Sequence, residues 1–480
     1  MTTTNYSMLL DLYEFTMANG ILNSEERDKI CYFDMFFRRV PDDGGFAVMA
    51  GLEQLIDYLN NLKFTKEDID YMRSLNLFCD EFLSYLENFK FTCDVWAVSE
   101  GTPIFPKEPI ITVRGPAFQA FMVETMLLLT INHQSLIATK ANRIVRASKG
   151  RPVMEFGARR AHGASAAIYG ARAAIIGGCK GTSCLQAAQM FGAVPMGTMA
   201  HSWVQLFPTE LEAFKTYAKN YPTNCVLLVD TYNVLKSGVP NAIKAFDEVL
   251  KPMGIRPAGI RIDSGDITYL TKKCRKMLDD AGYEDCKICV SNSLDEYLIR
   301  DMLIQGASVD SFGVGERLIT ASSEAVFGGV YKLSAVEDKN GEITPKIKIS
   351  ENTAKITLPG VKEVYRLYDN QTNKAMADVI CLKGEKIEAP YTLFHPEYTW
   401  KTKTVTDFTA VPLRKQIFKN GKQVYNCPNL KEIACYSETA INSLLDEVKR
   451  FEKPHTYYVD LSQKLWDLRN SLLKGDNRND

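Results

Sequence analysis

GGCKGTSCLQAAQMFGAVPMGTMAHS, residues 177–202, is the stretch whose reading decides the fold. It divides into a glycine-rich loop (177–183), a helix (184–191), a short apolar strand (193–196) and a polar strand end (197–202). A small-residue strand that finishes in Thr198 and His201 suits an α/β protein, because loops at strand C-termini face the ligand crevice. Gly177, Gly178 and Gly181 would let the backbone approach a phosphate or a ring. His201 is one of five histidines in 480 residues, so few other residues can supply an imidazole. On spacing alone, a surface histidine on a connecting loop is an equal reading.

Outward from that stretch, the same rhythm recurs. Apolar segments ending in polar or glycine residues lie at 153–160 (VMEFGARR), 173–178 (AAIIGG), 193–198 (AVPMGT), 225–232 (CVLLVDTY), 259–266 (GIRIDSGD), 287–293 (KICVSNS) and 308–315 (SVDSFGVG). Spaced about 20–35 residues apart, they fit repeated βα modules. A barrel is favoured over a doubly wound sheet because chemistry-bearing residues cluster at nearly every segment end. A further strand is expected at 329–335, before the rhythm stops near Glu337. Residues 1–148 read as an α+β domain, with helices at 8–20, 64–91 and 118–150 and strands at 31–39 and 93–113. Residues 149–337 form the barrel. Residues 338–480 form a C-terminal domain of hairpins at 339–341, 382–384 and 419–421, helices at 438–452 and 461–473, and a frayed polar tail from Lys474.

Length implies two or three domains. With 46% hydrophobic and 24% charged residues, the balance is that of a soluble globular protein. A net charge of -1 argues against partners held by a basic face, so neither nucleic acid nor membrane is expected. The twelve cysteines are scattered, and Met1 to Gly20 carries Asp11 and Glu14 rather than a secretory signal. Reduced thiols in the cytoplasm are the expectation. Cys286 and Cys289 form a lone CxxC inside a strand-like run, which favours core packing over a metal or redox pair.

The segment ends supply Glu155, Arg159 and Arg160; Thr182 and Ser183; Thr198 and His201; Asp230 and Thr231; Arg261, Asp263 and Asp266; Ser291 and Asn292; and Gly313 and Gly315. Too few histidines are present for a multi-histidine metal site. Asp263 and Asp266 could bind Mg²⁺, or Ser264 or Asp266 could cap the following helix. Ser291-Asn292-Ser293 and Gly313-Val-Gly315 sit where barrels often build a phosphate site. Arg159 beside Phe156 suggests an anionic aromatic ligand. Arg38, at a strand end, and Lys140, in a row with Arg143 and Arg146, either hold an anion or form solvated basic faces. The residues alone support a barrel enzyme acting on a phosphorylated, anionic small molecule.

LLDLYEFTMANG, FFRRVPDDGGFAVMAGLE, EFGARRAHG, GTMAHS, LLVDTYNVLKSGVPNAI, GIRIDSGD and SFGVGERL together closely resemble the nicotinate phosphoribosyltransferase family, from about Leu9 to Glu337. The resemblance implies an irregular α/β barrel of the type II phosphoribosyltransferases packed against an N-terminal α+β domain, with an extra C-terminal domain, working as a homodimer with shared active sites. It implies nicotinate and phosphoribosyl pyrophosphate as substrates, and nicotinate mononucleotide and pyrophosphate as products. ATP hydrolysis through a phosphohistidine would class the enzyme as a ligase, and Mg²⁺ would be held mainly by substrate phosphates, with Asp263 the candidate protein ligand. By the same resemblance Tyr13 contacts the ring across the dimer interface, Phe156 stacks on it, Arg159 meets phosphate and Thr198 contacts nicotinate. His201 is the phosphorylated residue, Arg261 and Asp263 hold the phosphoribosyl group, and Gly313 to Gly315 form a phosphate loop.

Ser183 stands where the related nicotinamide enzymes resemble this motif with an aspartate. A hydroxyl donor suits a carboxylate, whereas an aspartate would repel it. The competing reading makes Ser183 a helix cap. Two departures from the family pattern are Cys179-Lys180, where Phe-Asp is frequent, and Glu316, where Thr is frequent. Quinolinate and nicotinamide phosphoribosyltransferases of similar fold remain the near alternatives; a glycoside hydrolase using Glu155 and Asp263, or a nucleotide-binding sensor, are more distant ones.

Overall fold

The computed structural model describes residues 5–475, so most of the expected frayed tail (476–480) lies outside the described residues. The described residues divide into two compact units: 5–136, 326–428 and 435–475 form one, and 137–325 with 429–434 form the other.

The second unit is built on a six-stranded parallel sheet. Its strands are β1 (Val153–Glu155), β2 (Gly181–Thr182), β3 (Val226–Leu228), β4 (Gly259–Ile262), β5 (Lys287–Val290) and β6 (Ser311–Val314). They pair in the order β2-β1-β6-β5-β4-β3, and Thr182 adds a parallel bridge to Pro195. This is the cyclic order of a barrel, with one seam between the Pro195 segment and β3. Among the described residues no ladder closes that seam. Both faces of such strands are covered, so they read as apolar runs rather than alternations: Leu227, Leu228, Ile260, Ile262, Ile288, Val290, Phe312 and Val314 are all fully buried.

The strands β4 and β5 hand over to their helices through a short polar cap. Asp266 accepts from the Tyr269 N–H at 3.0 Å, which settles its role as the cap of Ile267–Asp280. That helix then buries Ile267, Thr271, Cys274 and Leu278 at helical spacing. Asp295 caps Glu296–Ile304 in the same way.

The expected strand at 173–178 is a correction. Residues 173–176 are the last turn of the helix Ala164–Ile176, whose buried alanines and isoleucines look like a parallel strand in sequence. The true strand, Gly181–Thr182, lies in the expected loop. A Cβ on Gly181 would stand 2.7 Å from Met196 Cγ and from the Val194 carbonyl oxygen, so this glycine serves close packing of the chain on itself. The expected strand at 193–196 reduces to the single bridge at Pro195. His201 is not a strand end but the first residue of the helix His201–Leu206.

In the first unit a seven-stranded sheet has the order Ile343–Pro345, Gly329–Glu337, Ile30–Phe37, Ile111–Pro116, Asp94–Val98, Arg414–Lys419, Lys422–Gln423. The strand expected to prolong the barrel at 329–335 instead runs antiparallel to Ile30–Phe37. The C-terminal residues also carry a four-stranded sheet of their own, Phe408–Pro412, Lys362–Asp369, Ala375–Leu382 and Tyr458–Leu461. Its two faces bury Leu367, Val379 and Cys381 on one side, and Val364, Ile380, Leu461 and Leu465 on the other. Hairpins form at 338–341 and 419–421, whereas the turn after Leu382 ends a strand without pairing it to the next. The expected helix at 438–452 falls earlier, at Leu430–Asn442. No helix among the described residues is long and apolar enough to cross a membrane.

Candidate active site

Residues immediately beyond the C-terminal ends of β3, β4 and β5 meet in one hydrogen-bonded cluster. In-register pairing aligns Leu228 with Arg261, and Arg261 with Cys289, so Asp230, Asp263 and Ser291 emerge side by side. The Arg261 guanidinium is divided among four acceptors. It donates to Thr198 Oγ1 at 2.5 Å, Ser291 Oγ at 3.1 Å, the Met199 carbonyl at 3.3 Å and Asp263 Oδ1 at 3.4 Å. The Ser291 hydroxyl donates to the same Asp263 oxygen.

Asp230 stands at the seam. Its side chain is 1% exposed, and it faces His201 Nε2 across 3.1 Å. Its other oxygen accepts from the Asp263 N–H at 3.0 Å and the Ser264 hydroxyl at 2.6 Å. With the carboxylate accepting, Nε2 carries the hydrogen and Nδ1 keeps its lone pair. The His201 side chain is 38% exposed. Asp230 therefore holds the imidazole and the β4 loop, and its acceptor capacity is used by protein donors.

Across the sheet, β1 ends at Glu155, which is fully buried. Its oxygens accept from the Gly157 N–H and from the Thr182 hydroxyl, the latter at 2.6 Å, and burial raises its pKa. This carboxyl ties β1 to β2 and fixes the turn that presents Phe156. Gly313 seats that ring: a Cβ there would lie 2.6 Å from Phe156 Cδ2 and Cε2. Arg159 is exposed one turn further on. Ser183 is exposed, and the helix Leu185–Phe191 has Cys184 at its N-cap and no side-chain cap; the Thr182 hydroxyl accepts from the Cys184 N–H at 2.9 Å in the turn before it. The capping alternative for Ser183 is thereby removed.

The loop after β5 holds Asn292 at φ 104° and Ser293 at φ 44°, consecutive left-handed positions that non-glycine residues rarely adopt. Ser293 donates to Glu316 at 2.7 Å. Gly315 precedes the short helix Glu316–Ile319. Beside them opens a polar cavity of about 610 Å³, lined by Lys140, Arg160, Asp295, Tyr297, Glu316, Arg317, Thr320, Ser322 and Ser323. Arg160 rather than Arg159 reaches this cavity, and sequence reading missed Arg317 and Tyr297. The only signal was their place just after GVG and SNS.

The row Lys140, Arg143 and Arg146 is not a solvated face. Lys140 donates to Glu296 at 2.8 Å and Ser323 at 2.7 Å, and Arg143 donates to Glu296 at 3.0 Å. All three are largely buried, and burial lowers the Arg146 pKa to about 10. In the first unit, Arg38 follows the strand Ile30–Phe37, and its buried Nε has no partner. Tyr13 is 44% exposed on the helix Leu12–Leu22. Partial burial and the neighbouring Glu124 keep its phenol protonated far above neutrality.

Among the described residues no three His, Cys, Asp or Glu side chains gather closely enough to hold a metal. Cys286 and Cys289 are both free and buried, and burial raises the Cys286 thiol to about 12, which supports core packing.

An open parallel barrel whose strand ends combine a divided arginine, two aspartates, a held histidine and a strained serine loop defines an enzyme for phosphorylated anionic substrates. The family models agree with that class. The nicotinate phosphoribosyltransferase N-terminal domain matches residues 8–132, the family proper residues 152–381 and the C-terminal domain residues 361–469. Nicotinate phosphoribosyltransferase of Bacillus subtilis is 43% identical over 464 residues, covering 96% of this chain and 94% of that one. The human enzyme is 30% identical over 528 residues, covering 98% and 97%. The crystal structure of human nicotinic acid phosphoribosyltransferase superposes with a TM-score of 0.83 at 28% identity, covering 97% of this chain and 100% of that one. Nicotinate-nucleotide pyrophosphorylase from Pyrococcus furiosus gives 0.71 at 26% identity, covering 92% and 97%. This chain belongs to the nicotinate phosphoribosyltransferase family.

Proposed function

We propose that the chain forms nicotinate mononucleotide and pyrophosphate from nicotinate and phosphoribosyl pyrophosphate, in the salvage route to NAD, and that it couples this to ATP hydrolysis through His201. The observation that carries the coupling is the Asp230 grip on His201 Nε2, which orients the ring and leaves Nδ1 as the nucleophile. Nδ1 attacks the γ-phosphorus of ATP, the bond to the β-phosphate oxygen breaks, and ADP leaves; water later cleaves the P–N bond, releasing inorganic phosphate and restoring the imidazole. In the transfer step the pyridine nitrogen forms a bond to ribose C1 as the C1–O bond to pyrophosphate breaks. Positive charge develops on the ribose, so catalysis is mainly positioning and electrostatics.

Arg261 and Asp263 grip the phosphoribosyl group, Phe156 stacks on the pyridine, and Ser183 donates to its carboxylate. Arg159, Asn292, Gly315 and Lys140 belong to the anion-binding set. Asp263 Oδ2 has no hydrogen bond among the described residues and is the protein ligand available to Mg²⁺. That ion, bound chiefly by the pyrophosphate, would neutralise the leaving group. The working form in this reading is a cytoplasmic homodimer in which Tyr13 serves the partner's site.

The test is pyrophosphate release with nicotinate, nicotinamide and quinolinate, each with and without ATP. Nicotinate should win, and ATP should raise its turnover. H201A should lose acid-labile phosphate incorporation from labelled ATP while keeping phosphoribosyl pyrophosphate binding. Labelled phosphate on that variant would remove His201 from the role, and preferential use of quinolinate or nicotinamide would select the alternative substrate.

A further inference from the structure

The first unit contains a cavity of about 400 Å³ that the reaction does not use. Segments far apart in sequence build it: the strand Ile30–Phe37, the strand Gly329–Glu337, the stretch 353–362 and the last helix, Gln463–Lys474. Its lining carries four cations, Lys107, Lys332, Lys362 and Arg469, against two carboxylates, Asp34 and Glu397. Both carboxylates are already engaged. Asp34 lies 2.9 Å from Lys362, and Glu397 lies 3.0 Å from Lys107.

The capacity left over points one way. The Arg469 Nε is buried with no hydrogen-bond partner, which is costly for a guanidinium unless an acceptor arrives. Burial holds its pKa below the usual range, with Glu397 only partly offsetting this. The Thr357 Oγ1 accepts from the Lys348 N–H at 2.9 Å, so its own hydrogen remains to be donated. The lining also carries the apolar side chains of Phe36, Ile356, Leu358 and Leu473. A few polar donors among apolar side chains, in a space of this size, suit a small-molecule site.

We propose that this cavity binds a phosphate-bearing small molecule of mononucleotide size, with the phosphate on Arg469 and Thr357 and the body against Phe36 and Leu473. The guanidinium fork suits a phosphate, and the volume exceeds what inorganic phosphate alone would fill. The site is independent of what the barrel catalyses.

Calorimetric titration of the full chain with adenosine monophosphate and, separately, inorganic phosphate tests it. The wild-type chain, R469Q and R261Q are compared, so that binding in the barrel is read apart from binding here. Adenosine monophosphate should bind R261Q with one remaining equivalent, and R469Q should weaken that equivalent about tenfold or more. Inorganic phosphate that binds with the same dependence on Arg469, while the nucleotide does not, overturns the proposal, because the occupant is then not of mononucleotide size. Absence of binding by both probes overturns the proposal, as does binding that R469Q leaves unchanged or that R261Q alone removes. Should R469Q fail to fold, Leu473→Trp, which fills the apolar side, decides by the same readout.

Discussion

Two clusters in this chain use the same three groups, an arginine, an aspartate and a hydroxyl, and differ in how completely those groups satisfy one another. In the C-terminal sheet Arg366 meets Asp378 in a two-pronged pair, 2.8 Å and 2.6 Å, with the Tyr457 hydroxyl on the same carboxylate at 2.9 Å. The pair is sealed: side-chain exposures are 1% and 0%, and the guanidinium lies over the rings of Phe105 and Tyr457. At the barrel strand ends, Arg261 and Asp263 are 15% and 31% exposed, and their closest contact is 3.4 Å. A saturated pair has nothing left to offer a ligand, whereas a divided one can exchange its contacts for a substrate's phosphates. Architecture and chemistry are separated here by leftover hydrogen-bonding capacity, not by residue type.

The largest expected effect breaks the sealed cluster. Asp378→Ala leaves Arg366 charged and buried without its partner, which typically costs about 3–5 kcal/mol. Denaturant unfolding should show that loss, while turnover per folded molecule stays near wild type. A cost below about 1 kcal/mol would mean that Arg366 finds another acceptor, and the contrast between the clusters would fail.

Arg261→Lys is the counterpart at the open cluster. A point charge cannot serve Thr198, Ser291 and a phosphate at once. Activity should fall about tenfold or more, the equivalent of roughly 1.5–3 kcal/mol in phosphate binding, with the unfolding midpoint almost unmoved. A lysine variant with unchanged turnover and substrate affinity would place the phosphoribosyl grip elsewhere. Ser183→Asp tests the pyridine end of the same site. Because Ser183 caps no helix, stability should hold while the nicotinate-to-nicotinamide ratio falls, since a new carboxylate would face that of nicotinate. An unchanged ratio would move the specificity to another residue.

What the sequence made legible follows the range of the interactions involved. The barrel rhythm shows because strands buried on both faces must be apolar, and their ends must be polar where the chain turns. The candidates at those ends, from Asp230 to Ser291, could be named for that reason. The segment at 173–178 misled because a helix packed with small apolar residues has the same composition as such a strand. The row Lys140, Arg143 and Arg146 reads as either an anion site or a solvated face because its partner, Glu296, is more than a hundred residues away and no local pattern announces it. The same is true of the antiparallel pairing of Gly329–Glu337 with Ile30–Phe37. The family resemblance, carried by several motifs at once, reached the reaction where periodicity reached only a class.

A third kind of carboxylate sharpens the contrast further. Glu14 is buried on the helix Leu12–Leu22 with no arginine beside it. Its Oε1 accepts from the Thr125 N–H at 3.1 Å and from the Thr125 hydroxyl, while Oε2 is buried with no partner. Burial dominates over these hydrogen bonds and pushes its pKa up to about 7. The sign then follows from linkage. Between the ordinary carboxyl pKa and about 7 the folded chain holds a proton that the unfolded chain releases, so this group's contribution to stability falls as pH rises through that window and is level outside it. Gln keeps the acceptor for Thr125 and removes the ionisation. Glu14→Gln should therefore be more stable than wild type at pH 8 by on the order of 1 kcal/mol, after allowing for solvent screening, and little different at pH 4.5. Asp460, also raised to about 7 by burial, titrates in both proteins and cancels from the difference. Unfolding curves for the two proteins across that range give the difference directly. Parallel pH dependence would show that Glu14 stays ionised when folded, through a partner other than Thr125 and Asp11.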